Sequence, residues 1–209
     1  MTTWQKIKLV KQVAILKTVY YSLKFKGLII IGRRTKLKLA RGAKIEIKKG
    51  RLFIGVLFYM PQVTYLEIAE NGTLSINGDV KFMKGCKIVI KKNAVLAMRG
   101  NAFINERCKI RCYKKISIGN NCLVSWDVNI VDTDAHHVRI NGKYPENTKE
   151  VIINDNVWVG FNAMVLKGVS IGKGSMIGAG SVVTKNVPEY CLSAGNPSEV
   201  KRRNVTWQI

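Results

Sequence analysis

The chain has 209 residues, 47% hydrophobic and 23% charged, which is enough to bury one substantial core and excludes a disordered or collagen-like polymer. Thirty-five Lys and Arg against 13 Asp and Glu give a formal charge of +22, unevenly spread: the first acid is Glu46, and residues 1–45 hold twelve of the bases. Five scattered cysteines with no Cys-x-x-Cys pair point to reduced, buried thiols, and the only histidines, His136 and His137, are adjacent, which excludes a metal site of three imidazoles.

Residues 3–26 contain neither Pro nor Gly, and Ile7, Val10, Ala14 and Lys17 fall at about helical spacing among Lys6, Lys8, Lys11, Lys24 and Lys26. The spacing predicts a basic amphipathic helix within residues 1–27. Such a helix would cap the unit that follows, be drawn to an anionic membrane surface, and place Trp4, Tyr20 and Tyr21 at the interface. No segment reaches the ~20 apolar residues of a membrane span, and lysines break the start too often for a secretory leader. A cytoplasmic chain, peripheral at most to the inner face of the membrane, is expected.

Further along, apolar residues come in pairs two apart: Leu66/Ile68, Leu74/Ile76, Ile88/Ile90 and Leu96/Met98. The rhythm tightens at Ile118, Val124 and Ile130, and from Ile153 it is strict: Val159, Val165, Ile171, Ile177 and Val183 recur every six residues. Gly160, Leu166, Gly172 and Gly178 follow one residue later, and Ala163, Val169, Ser175 and Ser181 four later. An α-helix would set residues six apart about 240° from one another, and strict alternation would make the intervening positions apolar as well. A flat strand with one inward aliphatic, then a corner, satisfies period six. Three such sides close a triangular coil, and stacked coils bury an aliphatic column.

An all-β fold is therefore predicted, a parallel β-helix over residues 28–187 with a tail over 188–209. An antiparallel sandwich fits the loose first half but not the six-step. Between Ile130 and Ile153 the register breaks, and residues 132–150 read as a loop that leaves the coil and returns, with both histidines at its root.

The hexad run, continued by Val183-Thr-Lys-Asn-Val-Pro188 and Ser193-Ala-Gly-Asn-Pro197, resembles the hexapeptide-repeat acyltransferases, in particular the maltose, galactoside and polysaccharide O-acetyltransferases. The resemblance is specific over about residues 104–203 and generic over 28–103. It implies a left-handed coil, an exception to the right-handed crossover rule, a homotrimer, and acetyl-CoA as donor. It also implies roles: Asn105 at the family's active-site asparagine, and His136, in Asp-Thr-Asp134-Ala-His136, at its catalytic histidine. Trp158, Gly160, Phe161, Ala163, Ala179, Thr184, Lys185 and Arg202 stand at positions that contact the coenzyme. Two residues depart from the pattern. Phe161 stands where a small polar residue is usual, and Glu199 where a base often meets the coenzyme's phosphates, a task left to Lys201, Arg202 or Arg203.

The chemistry suits these residue types. A sugar hydroxyl must lose its proton as it attacks a thioester, and a neutral imidazole is matched to that task. Asp132, Asp134 or a backbone carbonyl would hold the other ring nitrogen. A backbone N–H near Phe161 would meet the oxyanion, Asn105 would steer the hydroxyl, and Trp126 and Tyr144 are candidates to stack on a sugar ring. No metal is needed. His137 remains an alternative base, since neighbouring residues of extended chain point oppositely. Acetyl transfer to an amino sugar-nucleotide, and a non-enzymatic β-helix scaffold, are the competing functions. A nucleic-acid partner is not expected, because no recognition motif accompanies the charge; an acidic glycan or the coenzyme's phosphates would answer the same field.

Overall fold

The structure is a computed structural model that describes residues 12–56 and 62–208. Trp4, Ile7, Val10, Lys6, Lys8 and Lys11 lie outside the described residues. Three sheets of nine, seven and six strands, parallel but for the last strand of the nine, form the sides of a triangular prism. The chain visits them in rotation, so that strands Ala102–Ile104, Lys109–Cys112 and Lys115–Ile118 make one coil. Leu28 pairs with Arg51, Thr35 with Thr64, Val80 with Ala102 and Trp158 with Met176, so a coil takes 23 to 29 residues at the start, 22 further on and 18, three hexads, near the end. Longer strands in the first half, such as Thr73–Asn77 against Met176–Ile177, account for most of the drift of the early pattern; the corners between them are seldom longer.

The six-step residues Ile153, Val159, Val165, Ile171, Ile177 and Val183 are all buried, as are both members of the early pairs. One aliphatic per side per coil makes the column in the prism's centre, where burial at roughly 25 cal/mol per Å² outweighs the ordering of short strands. Small inward residues accompany it: Ser175 Oγ donates to Pro188 O and Ser181 Oγ accepts from Gly195 N, so both buried hydroxyls are satisfied. Cys108 and Cys122 likewise point their thiols at the carbonyls of Ser125 and Asn154.

Among the described residues the helical run is Ile15–Lys24, and it is interrupted just after the helical Gln12, where Val13 bridges to Gly32 and Ala14 N donates to Ile31 O; the earlier part of the predicted helix lies outside the described residues. The run Ile15–Lys24 lies against the first strand, Leu28–Ile31. Thr18 Oγ1 accepts from Ile31 N and Ser22 Oγ from Ile29 N, which occupies amides of a sheet edge that would otherwise be open. Its opposite face is bare: Leu16 is 86% exposed and Leu23 74%, beside Ile15, Val19 and Tyr20.

At the other end, strand Glu199–Arg203 returns antiparallel along Cys191–Ala194 and closes the nine-stranded sheet. Trp207 then packs on Trp158 with ring centroids 6.0 Å apart.

Candidate active site

Two edges of the prism carry the candidate residues. The first joins the seven-stranded side to the six-stranded side, and the loop leaves it after strand Asn129–Val131. Its root is built on Asp132, which is fully buried. Asp132 Oδ1 accepts from Tyr113 N at 2.7 Å, and Oδ2 from Lys114 N and Lys115 N at 2.8 Å each. Three amides on one carboxylate fix the point of departure. Asp132 therefore does not orient an imidazole; its oxygens are spent on the coil below.

The returning arm is zipped to the leaving one. Lys149 N donates to Asp132 O, Asp134 N to Asn147 O, and Thr133 bridges Thr148. Lys167 ties the loop down from the next coil through Asp134 (2.5 Å) and the Glu146 carbonyl (2.9 Å). On this base Ala135 adopts φ 65°, an uncommon conformation for a residue with a side chain. His136 and His137 follow, both exposed, and neither makes a hydrogen bond among the described residues. Asp134, the remaining carboxylate candidate, faces Lys167 and is not hydrogen-bonded to His136. Tyr144, further out, is 66% exposed and lies beside Arg139.

The second edge joins the nine-stranded side to the seven-stranded side. Successive coils place Asn105, Ser125, Gly160 and Gly178 in one column, each amide donating to the coil above, and Glu106, Trp126, Phe161 and Ala179 in the next. Asn105 Oδ1 accepts from Glu106 N at 3.0 Å. The amides of Trp126, Phe161 and Ala179 donate to no group among the described residues, so the edge presents a row of open N–H groups to solvent. Gly160 permits that row. A Cβ there would lie 2.5 Å from Ile177 O and 2.8 Å from Ala179 N. Trp126 and Phe161, each more than 40% exposed, pack at 5.7 Å and make an aromatic ledge beside Asn105.

The residues expected to contact the coenzyme divide between these places. Gly160, Phe161 and Ala179 lie on the second edge. Trp158 is half-buried on the nine-stranded side, its indole N–H held by Ser125 Oγ at 3.0 Å. Lys201 and Arg202 are exposed on the same side, and Lys201 is partly neutralised by Glu199 at 3.2 Å. Thr184 and Lys185 follow strand Val182–Val183, towards the first edge. Ala163 must be withdrawn as a contact. Its side chain is wholly buried, its N–H donates to Gly160 O, and its carbonyl accepts from Asn129 N, so nothing is left for a ligand. Among the described residues no cluster of His, Cys, Asp or Glu could hold a metal ion. Missed from the sequence were the Asp132 cap, whose partners are distant in the chain, the tie from Lys167, and Trp207 behind Trp158.

Comparison with known proteins agrees with the repeat and the fold. Residues 150–185 match the family described as Bacterial transferase hexapeptide (six repeats). The chain is 37% identical over 145 residues to the polysialic acid O-acetyltransferase of Escherichia coli O1:K1 / APEC, covering 68% of this chain and 44% of that one. It is 42% identical over 90 residues to the galactoside O-acetyltransferase of Lactococcus lactis subsp. lactis (strain IL1403), covering 42% and 43%. The chain thus spans about half the length, or less, of these curated relatives. The crystal structure of the polySia specific acetyltransferase NeuO superposes with a TM-score of 0.57 at 27% identity, over 84% of this chain and 85% of that one. Repeat, coil and likeness together make the chain similar to the hexapeptide-repeat transferases, and its fold is the left-handed parallel β-helix.

Proposed function

We propose that the protein is an acetyl-CoA-dependent O-acetyltransferase acting on a sugar hydroxyl of a surface polysaccharide or its precursor. The observation that carries this reading is an exposed, unpartnered imidazole on a loop rooted by a buried carboxylate, in a coil that also carries an edge of open amides. The names of the relatives, both O-acetyltransferases of glycans, favour an oxygen over a nitrogen acceptor.

In the proposed reaction His136 takes the proton of the acceptor hydroxyl as its oxygen bonds to the thioester carbonyl carbon. The negative charge that develops on the carbonyl oxygen is met by the Phe161 N–H, a fixed donor worth roughly 3–4 kcal/mol. Collapse breaks the C–S bond, and the imidazolium returns its proton to the departing thiolate. Asn105 positions the hydroxyl, and Trp126 offers a face to the sugar. Exposed Lys185, Lys201 and Arg202 supply charge for the donor's phosphates, and an extended edge with free N–H groups fits its amide-bearing arm.

One chain does not suffice. His136 and the Asn105–Phe161 edge flank opposite margins of the seven-stranded side, with strands such as Lys109–Cys112 and Asn129–Val131 and their corner residues between them. A homotrimer brings the first edge of one copy to the second edge of its neighbour and completes the site. The bare apolar face of the helix, with Lys17, Lys24 and Lys26 beside it, fits an anionic membrane surface at about 1 kcal/mol per lysine. Among the described residues no helix is long and apolar enough to cross a membrane. Binding to anionic vesicles at low salt, lost in L16S/L23S, supports that placement; vesicles that float free of protein refute it.

The test of the reaction is acetyl-CoA consumption against a panel of acidic and neutral glycans. His136→Ala is expected to lower turnover about 10²–10⁴-fold. Undiminished turnover in that variant overturns the assignment of the base, and loss confined to His137→Ala moves it by one residue.

A further inference from the structure

The seven-stranded side carries a groove of about 550 Å³ over the first four coils, below the loop. Its floor is set by register. Lys36, Tyr65 and Lys87 stack in one column, and Glu67, Val89 and Arg111 in the next, with neighbouring rungs about 4.8 Å apart. Lys36, Lys87, Lys91 and Arg111 line it, and none of the four forms an ion pair among the described residues. The single acid of the lining, Glu67, is already engaged by Tyr65 Oη at 2.7 Å and by Lys38 at 3.8 Å. Two tyrosines lie beside the cations, Lys87 at 5.8 Å from the Tyr65 ring and Lys91 at 5.7 Å from that of Tyr113.

Neither the fold nor acetyl transfer requires this cluster of charge. A coil tolerates polar or small residues on its outer face, as the six-stranded side shows with Thr73, Ser75, Ala97 and Ser117. The position of the groove is equally specific. Tyr113 forms its upper end, and the amide of Tyr113 is the one bound by Asp132 Oδ1, the residue from which the loop bearing His136 departs. The groove therefore runs along the prism axis and ends at the root of that loop.

We infer that this groove is an acceptor track for an acidic glycan, in which carboxylates of successive sugars meet Lys36, Lys87, Lys91 and Arg111 while the reacting unit extends past Tyr113 to His136. A rung spacing comparable with the length of one hexose suits a linear polymer laid along the axis, and tyrosine faces suit the apolar faces of sugar rings. The inference rests on the proposed acetyl transfer for its purpose and on the groove alone for its binding.

The test is equilibrium binding of the full chain, without donor, to a sialic acid hexamer and to hexagalacturonate, with maltohexaose and a single-stranded oligonucleotide of equal charge as comparisons. The acidic hexamers are expected to bind, more weakly as salt rises, and maltohexaose not to bind. K87A/R111A should weaken binding about tenfold, whereas K44A/K48A, which removes equal charge from the six-stranded side, should change it less than twofold. Lys91→Glu, with an unchanged melting temperature, should abolish it. Equal loss from both double variants reduces the effect to net charge and overturns the inference, as does tighter binding of the oligonucleotide or equal binding of maltohexaose. Acidic-glycan binding in a chain that consumes no acetyl-CoA with any acceptor removes the transferase reading and leaves the groove. Acetylation of neutral glycans by a chain that ignores acidic ones does the reverse.

Discussion

Removing the Asp132 carboxylate should both loosen the fold and disarm the loop. Asp132→Ala strips the buried acceptor from the amides of Tyr113, Lys114 and Lys115. A hydrogen bond to a charged group contributes about 1.5–3 kcal/mol, and water admitted to the gap recovers part of the loss, so the expected cost is about 3–5 kcal/mol. For a chain of this length that is roughly a 10 °C fall in melting temperature. Asp132→Asn should fall between, because one oxygen can still serve Lys114 and Lys115 while the amide group confronts Tyr113 N–H, donor against donor. Calorimetry or denaturant titration measures the loss, and turnover well below the melting temperature measures the loop. A change under 1 kcal/mol, with a displaced pH–rate profile, would mean that Asp132 acts on the imidazole instead, and would refute the capping argument.

Gly160→Ala should cost about 1–3 kcal/mol by overpacking, since its Cβ would meet Ile177 O and Ala179 N within 3 Å, and should lower turnover by displacing the Phe161 amide; an unchanged melt and rate would contradict this. The five cysteines are free and buried, and burial pushes the Cys122 thiol up to about 11. A thiol reagent at pH 8 should therefore titrate none of them in the native protein and all five in denaturant; rapid native labelling would argue against a closed column. The hydrogen-bonded guanidinium of Arg107 holds the Asp127 carboxyl below its usual range. The pair's stabilisation is thus present above the unfolded value of about 3.9 and lost as pH falls through the lower folded value. Denaturant melts from pH 5 downward should show wild type losing at most about 1 kcal/mol more than Asp127→Asn in that window, and identical slopes would deny the pair a role.

Period six was legible because each side of the last coils carries a branched aliphatic at the same inward position, so Ile153 to Val183 reveal the coil without knowledge of the corners. The early coils spend 20 to 29 residues each, and there only the buried pairs survive as a signal. The same repeat already placed Ala163 inward, in step with Val169, Ser175 and Ser181, so its rejection as a coenzyme contact was available from the sequence. The role of Asp132 was not. Its partners stand 17 to 19 residues earlier, one coil below, and only the stacking of coils joins them. Nor could spacing reveal that Asn105 and His136 occupy different edges, because the number of corners between them depends on where each coil turns. The predicted helix is interrupted at Val13 and Ala14, which bond to Gly32 and Ile31 and so leave the helical run.

Mixing two inactive variants tests most directly whether the site is shared between copies. His136→Ala and Asn105→Ala chains, each expected to be nearly inactive alone, should on co-assembly regain about a quarter of wild-type acetyl transfer, the share of intact edge pairs in randomly mixed trimers. Recovery at that level would establish that the imidazole of one copy works against the amide edge of the next. Mixed assemblies as inactive as their parents would contradict it.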